Sequence, residues 1–163
     1  MSYVLFLFTE ENTKQMSFDT EIKDMLIKHE GLVCNTYKCS EGKLTIGVGR
    51  NLEANGISED EAHYLLDNDI KRVIESLDKS FKMWRCMPKR ARMVCIDMTF
   101  QMGITGFLGF RKTIALMQMG MWLEASEEIL DSKYSIQTPN RAAYNSRQLA
   151  LCHGQKIKRG ASS

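Results

Sequence analysis

The sequence lacks the residue patterns of a metal site. Its 5 cysteines include no C-x-x-C pair, and its 3 histidines are isolated from one another. The sequence therefore predicts no bound metal. It also predicts reduced thiols, as in a protein made in a cytosol. The cysteines are Cys34, Cys39, Cys86, Cys95 and Cys152.

The sequence also lacks a strong charge of one sign and any long apolar run. A net charge of +2 and a pI near 8.3 are too mild to indicate a nucleic-acid partner, although they favour encounter with an anionic cell wall. Near the start, the apolar run from Val4 to Phe8 is short and has no basic flank, so we do not expect a signal peptide. No later segment has the length and hydrophobicity of a membrane span.

The composition is that of a single folded domain. The chain has 163 residues, of which 44% are hydrophobic and 26% are charged, and it contains no repeat, low-complexity stretch or flexible linker. One domain, or a small lobe and a larger lobe that share a core, accounts for this composition. We therefore expect one catalytic or binding site.

Between Glu30 and Arg50 the pattern predicts a helix that leads into a β-hairpin. Ile22, Met25 and Leu26 recur at helical spacing, and a glycine at position 31 is suited to a left-handed helix stop. Glu30 would then lie in the last turn, where the helix dipole disfavours a negative charge and favours a protonated carboxyl group. Such a group suits a general acid. The stretch reads EGLVCNTYKCSEGKLTIGVGR.

The rest of the chain predicts helices. Ser58 and Glu61 form a capping box at the start of a long helix over 58–81, and later apolar spacing with glycine stops predicts a series of short helices. Thr138 is predicted to cap the last helix, with Pro139 in its first position. The expected fold is α+β and mainly α. Its predicted parts are an N-terminal extension (1–18), a small hairpin lobe (19–57), the connecting helix (58–81), a helical lobe (82–154) and a frayed tail (155–163).

Three motifs in the same order resemble the T-even phage lysozyme family, whose members are peptidoglycan muramidases. They are the hairpin stretch, then FQMG, then QTPNRA, and together they cover about residues 21 to 148. The resemblance implies a phage lysozyme-like fold, with Glu30 as the general acid and Thr45 as the catalytic threonine. Cys39 stands where the family usually has a catalytic aspartate and where cysteine is a known alternative.

The resemblance also implies supporting and substrate-binding residues. Arg141 matches an arginine that pairs with the catalytic glutamate, and Arg50 and Asp69 match a pair between the hairpin and the long helix. Asp69 lies on the apolar stripe of that helix, so it either has a partner or sits at the solvated edge of the stripe. The implied substrate contacts are Asn51, Phe100, Gln101, Thr113 and Glu128, and ordinary core packing is an equal alternative for Phe100.

Cys39 leaves the mechanism open, because a thiol is mostly neutral at pH 7. As a thiolate it could stabilise the positive charge on the sugar and orient a water held by Thr45, or it could attack the sugar directly. A third alternative is an inert cysteine in an impaired enzyme. A disulfide between Cys34 and Cys39 is not expected in a cytosol.

The leading functional hypothesis is an endolysin-type muramidase that cleaves the β-1,4 bond between N-acetylmuramic acid and N-acetylglucosamine. It implies no metal and no organic cofactor, and its expected partner is peptidoglycan, with no nucleic acid and no membrane span. We expect a monomer made in a host cytoplasm, exported with the help of a holin and active on periplasmic peptidoglycan. The alternatives are a non-catalytic module that binds the wall or regulates lysis, and a hydrolase of chitin-like glycans.

Overall fold

A computed structural model describes residues 18–158. The chain divides into two compact units, the first ending at Ala62 and the second beginning at His63. The predicted N-terminal extension lies outside the described residues except for Phe18, which is already helical. The fold is α+β and mainly helical, as predicted.

The first unit contains a helix and a small antiparallel sheet. Helix α1 covers residues 18–30. Strands β1 (Val33–Lys38) and β2 (Leu44–Gly47) form the predicted hairpin, and a third strand, β3 (Arg50–Asn51), pairs with β2. In this sheet Thr45 lies on the central strand, opposite Tyr37 on one side and Asn51 on the other.

A short helix, α2 (Leu52–Asn55), follows the sheet directly. The sequence analysis did not predict this helix. Asn51 begins this helix, since its side-chain oxygen accepts the backbone N–H groups of Glu53 at 3.0 Å and Ala54 at 3.1 Å. An asparagine in this position satisfies amides that would otherwise lack an acceptor, and so it stabilises a helix of only one turn.

The long helix α3 (Glu59–Ser80) begins as predicted. The backbone N–H of Ser58 donates to Glu61 Oε2 at 2.8 Å, and the N–H of Glu61 donates to Ser58 Oγ at 3.2 Å. These two reciprocal bonds are the capping box. The division between the two units falls inside this helix.

The described part of the second unit, residues 63–158, is helical without strands. After α3 come a 3₁₀ helix (Lys82–Cys86), α4 (Lys89–Leu108), α5 (Arg111–Met119), α6 (Trp122–Leu130), α7 (Lys133–Gln137) and α8 (Pro139–Ala150). The predicted glycine breaks are confirmed in α4, where Gly103 has φ 73°, and after α5, where Gly120 is left-handed.

The core of the second unit is built on the predicted apolar face of α4. Ala91, Val94, Cys95 and Met98 are all buried there. Both tryptophans belong to the same core: Trp84 donates its indole N–H to Asp78 and Trp122 donates to the Gln155 carbonyl, each at 2.9 Å. The largest fully buried side chains are Trp122, Phe107, Leu77, Met98, Met117, Ile129 and Leu149.

Two expectations about the end of the chain are corrected. Thr138 begins α8, but its side chain accepts no N–H of that helix and its hydroxyl instead donates to the Tyr134 carbonyl of the unpredicted helix α7. The tail is not frayed over 155–158, because the Gln155 carbonyl accepts the Trp122 indole and the Lys158 N–H donates to the Cys86 carbonyl at 2.9 Å. The last five residues of the predicted tail lie outside the described residues.

Within residues 18–158, no single helix is long and apolar enough to cross a membrane. Helices α4 and α5 reach the necessary length and composition only together, and they meet at a bend of 101°.

Candidate active site

Glu30 is the last residue of α1, and the chain turns sharply after it. Gly31 has φ 79°, and its N–H donates to the Ile27 carbonyl at 2.8 Å, which confirms the predicted left-handed stop. The Glu30 carboxylate lies beside Gly49 in the turn between β2 and β3, where a Cβ would sit 3.6 Å from Glu30 Oε2. Gly49 has φ 73°, a conformation that other residues rarely adopt. A glycine here permits this turn and keeps the space beside the carboxylate open.

Cys39 lies in the tight turn of the hairpin, directly after β1. The turn is closed by the Cys39 N–H, which donates to the Lys43 carbonyl at 3.0 Å, and by the Gly42 N–H, which donates to the Cys39 carbonyl at 2.8 Å. The turn also brings the backbone N–H groups of Glu41 and Lys43 close enough to act on the Cys39 sulfur. Donors of this kind favour the thiolate over the neutral thiol.

The pKa of the Cys39 thiol is accordingly lowered from its ordinary value. The largest cause is the backbone N–H of Glu41, followed by that of Lys43, and the Thr45 hydroxyl also contributes. Burial and the Glu41 carboxylate act in the opposite direction but do not outweigh these donors. The sequence identified Cys39 and Thr45 as candidates, but only the folded turn brings the donors to the sulfur.

Thr45 is buried on the central strand, with an exposed fraction of 3%. Its hydroxyl donates to the Lys43 carbonyl at 3.1 Å, within the same turn that surrounds Cys39. A hydroxyl has one proton to donate and lone pairs that accept. Thr45 is therefore held in place by the sheet while its oxygen can still accept a bond from water.

Arg50 and Asp69, which the resemblance pairs with each other, have other partners in the structure. Arg50 donates to Glu61 at 2.5 Å, and this bond together with the Ser58 N–H lowers the pKa of Glu61. Asp69 forms an ion pair with Arg72 one turn later on α3. Each residue thus finds an opposite charge close by in the chain. The pair between Arg50 and Asp69, which would join the two units, stays a prediction.

In the second unit, Thr113 and Glu128 line one pocket. It has a volume of about 450 Å³ and is also lined by Phe110, Lys112 and Ser132. Thr113 is buried, and Glu128 forms an ion pair with Lys112. The structure therefore brings together two of the predicted substrate-binding residues and partly neutralises the acidic one.

Phe100 lines a second pocket, of about 350 Å³, together with Asp69 and Thr99. Its side chain is 41% exposed and does not belong to the hydrophobic core, so the alternative of ordinary core packing is wrong. Gln101 is exposed beside it. The Thr99 hydroxyl is buried without a hydrogen-bond partner among residues 18–158, and it leaves a polar group available beside this pocket.

Arg141 makes its ion pair with Asp97, a residue that the sequence analysis did not select. Its Nε donates to Oδ1 at 3.0 Å and to Oδ2 at 2.9 Å, and its Nη2 donates to Oδ1 at 2.6 Å. Asn145, which is fully buried, donates its amide to Asp97 at 2.8 Å and to the Tyr134 hydroxyl at 3.0 Å. The sequence does contain a signal for Asp97. It is a carboxylate that interrupts the apolar face of α4, as Asp69 interrupts that of α3.

No cluster of three or more His, Cys, Asp or Glu side chains able to hold a metal ion occurs within the described range 18–158. All five cysteines are free thiols in the structure.

Comparison with known proteins identifies the family. The sequence model of the phage lysozyme family matches residues 27–145, which include every candidate site residue. The chain belongs to the phage lysozyme family. It is accordingly a glycoside hydrolase of the lysozyme type, and the family's substrate is peptidoglycan.

Three relatives show how far the similarity extends. The chain is 28% identical over 152 residues to a probable T4-type lysozyme 1 of Dictyostelium discoideum and 27% identical over 152 residues to a probable T4-type lysozyme 2 of the same organism. Each alignment covers 76% of this chain and 89% of the relative. The chain is also 29% identical over 148 residues to the pre-baseplate central spike protein Gp5 of Enterobacteria phage T4, covering 74% of this chain but only 26% of that protein.

We expect Asp97→Asn to destabilise this lysozyme by about 2 kcal/mol at neutral pH, because hydrogen bonds to a charged group are typically worth about 1.5–3 kcal/mol. Burial alone would raise the pKa of Asp97, but the bonds from Arg141 and Asn145 outweigh it and lower the pKa. The stabilisation is therefore complete above the unfolded pKa of about 3.9 and is lost as pH falls through the lower folded value. Urea unfolding at pH 7 and at pH 3 measures both effects.

Asp67→Asn is the matched control, since Asp67 is exposed on α3. Equal stability of Asp97→Asn and wild type at pH 7 would show that the pair with Arg141 contributes nothing.

Proposed function

We propose that this lysozyme is a muramidase that cleaves the β-1,4 bond between N-acetylmuramic acid and N-acetylglucosamine in peptidoglycan, with Glu30 as general acid. The observation that carries the proposal is the closed hairpin turn that holds Cys39 and Thr45. Its N–H groups lower the pKa of the thiol, so Cys39 can supply a negative group on the same small unit as the Glu30 carboxyl group. Glycoside hydrolysis requires an acid and a second group of this kind.

In the proposed reaction Glu30 donates its proton to the glycosidic oxygen as the bond from that oxygen to the anomeric carbon breaks. The Cys39 thiolate stabilises the positive charge that develops on the sugar. A water molecule, held by the Thr45 hydroxyl, attacks the anomeric carbon, and Cys39 accepts the proton that this water releases. Glu30 and Cys39 then exchange protons with solvent and return to their starting states.

Direct attack of the thiolate on the sugar is the alternative step. We favour the water route because Thr45 is buried on the central strand and its oxygen is held at a fixed position beside the turn of Cys39. A fixed hydroxyl is suited to orienting a water molecule.

We further propose that Phe100, Gln101, Thr113 and Glu128 contact the glycan. The pockets lined by Phe100 and by Thr113 with Glu128 support these assignments. Asn51 would contribute only its amide N–H₂ group, because its oxygen already caps α2. Arg141 is proposed as a supporting residue whose guanidinium group is oriented by Asp97.

The proposed biological role is that of a monomeric endolysin, made in a host cytoplasm and reaching periplasmic peptidoglycan with the help of a holin. Five free thiols support synthesis in a reducing compartment.

Digestion of purified peptidoglycan tests the proposed bond specificity, with a chitin oligomer as a parallel substrate. We expect soluble fragments whose new reducing ends are N-acetylmuramic acid and no cleavage of the chitin oligomer, measured by borohydride reduction and mass spectrometry. New reducing ends on N-acetylglucosamine would reject the bond assignment. Faster cleavage of chitin would favour the chitin-like alternative, and binding without any cleavage would favour the non-catalytic module.

A further inference from the structure

A basic pocket lies at the start of α4, in the second unit. It has a volume of about 310 Å³ and is lined by Arg85, Met87, Pro88, Lys89, Arg92, Gln155, Lys156 and Lys158. This volume lies at the lower end of the range for small-molecule pockets. The wall formed by 155–158 is fixed in place by the Trp122 indole bond to Gln155 and the Lys158 bond to Cys86. The pocket is thus a built feature of the fold.

The charge in this pocket is poorly balanced. Arg85 is paired with Asp78 through two bonds of 2.6 Å, so its charge is largely satisfied. No carboxylate within residues 18–158 forms an ion pair with the other four cations. These are Lys89, Arg92, Lys156 and Lys158. Cations brought together in this way repel one another, and an anion between them would remove that cost.

Helix α4 adds to the positive potential. Its N-cap is Pro88, which offers no side-chain acceptor, and its first turn has no acidic residue. A helix N-terminus carries a partial positive charge that normally attracts acidic side chains, and here Lys89 occupies the first position instead. The amides of this turn therefore favour a negative group in the same place as the lysine and arginine side chains.

Arg92 lines the pocket from the first turns of α4. Its side chain is only partly buried, so its guanidinium group is accessible to an anion bound there. The Nε atom is enclosed by the protein and has no hydrogen-bond partner among the described residues. An arginine carries five N–H donors, so the group can bind an oxyanion through its other nitrogens.

We propose that this pocket is a second ligand site, separate from the catalytic residues, that binds a phosphate monoester. Several convergent cations and an arginine donor fit a compact oxyanion that carries close to two negative charges. Gln155, Lys156 and Lys158 lie beyond residue 145, where the match to the family model ends. Part of the pocket is therefore built from a segment outside the family match.

The site can be tested by titrating the full-length protein with inorganic phosphate at pH 7.5. Sodium chloride holds the ionic strength constant. Intrinsic tryptophan fluorescence reports binding, because the Arg85 guanidinium lies 4.8 Å from the Trp84 ring centroid and Trp122 is bonded to Gln155. We expect a saturable change and at least about tenfold weaker binding in Arg92→Gln, since charge-assisted hydrogen bonds to this group are lost. Lys71→Gln, which removes an exposed cation elsewhere on the unit, should bind as wild type does.

Lys156→Gln provides a second variant on an exposed side chain, should Arg92→Gln fail to fold. Two parallel titrations distinguish a soluble phosphate ester from a lipid headgroup. One uses glycerol 3-phosphate, and the other uses phosphatidylcholine vesicles with and without phosphatidic acid. Saturation by glycerol 3-phosphate or by the vesicles with phosphatidic acid supports the site. Three results would overturn the proposed site. The first is no saturation by inorganic phosphate, glycerol 3-phosphate or phosphatidic acid, and the second is unchanged affinity in both pocket variants. The third is saturation only by oligothymidylate, a single-stranded nucleic acid titrated in the same way.

Discussion

Glu30→Gln is expected to lower the rate of peptidoglycan cleavage by about 10² to 10⁴, the range that general acid catalysis typically contributes. The amide keeps the size and shape of the carboxyl group but has no proton to transfer to the leaving oxygen. Glu30 is exposed at the end of α1, so the exchange should leave the fold and the free energy of unfolding nearly unchanged. Initial rates of muropeptide release and a urea unfolding curve for the same preparation measure the two quantities.

Asp24→Asn provides the matched control, because Asp24 is exposed on the same helix and undergoes the same chemical change. It should cleave peptidoglycan at the wild-type rate. A Glu30→Gln enzyme within about tenfold of wild type could not be reconciled with general acid catalysis by this residue.

Cys39 is expected to give the second large effect. Cys39→Ala should lose most activity, because it removes the negative charge that stabilises the sugar and the group that accepts the proton from water. Cys39→Asp should remain active, since a carboxylate supplies both functions. Activity of the wild-type enzyme should rise with pH as the thiolate forms. Because the turn lowers the thiol pKa, this rise should lie below the ordinary thiol value and be absent in Cys39→Asp.

Alkylation gives an independent test of the same residue. Iodoacetamide reacts with thiolates, so it should inactivate the wild-type enzyme, and bound glycan should slow this reaction. Cys95 and Cys152 are buried, which raises the pKa of both thiols and protects them. Cys34 is exposed and would also react, so Cys34→Ala is the control that should remain as sensitive as wild type.

Full activity in Cys39→Ala would show that Cys39 is a spectator. Glu30 and a water molecule held by Thr45 would then carry the reaction without a second charged group.

The elements that the sequence predicted well are those whose signals lie within one or two turns of chain. The helix stop at Gly31, the capping box at Ser58 and the end of α5 at Gly120 each depend on a few neighbouring residues. Their backbone bonds close locally, so local sequence is sufficient to specify them. The missed elements are short. Strand β3 exists only because β2 lies beside it, and α7 only as a single turn between α6 and α8.

The candidate residues follow the same division. Motif order selected Glu30, Cys39 and Thr45 as candidates, and all three lie within the residues that the family model matches. Motif order did not identify the ion-pair partners. Arg141 binds Asp97, which is 44 positions away in the chain, and Arg50 binds Glu61, which belongs to the capping box of α3.

The fold class, the helix boundaries at glycines and caps, and the side chains proposed for catalysis all follow from local sequence signals. The surroundings of those side chains follow from tertiary packing. The lowered pKa of Cys39 depends on amides that converge when the hairpin turn closes, and the basic pocket depends on residues 155–158 packing beside the start of α4. Charge and hydrogen bonding act through distance in space, and distances between separated segments are defined only once the core has packed.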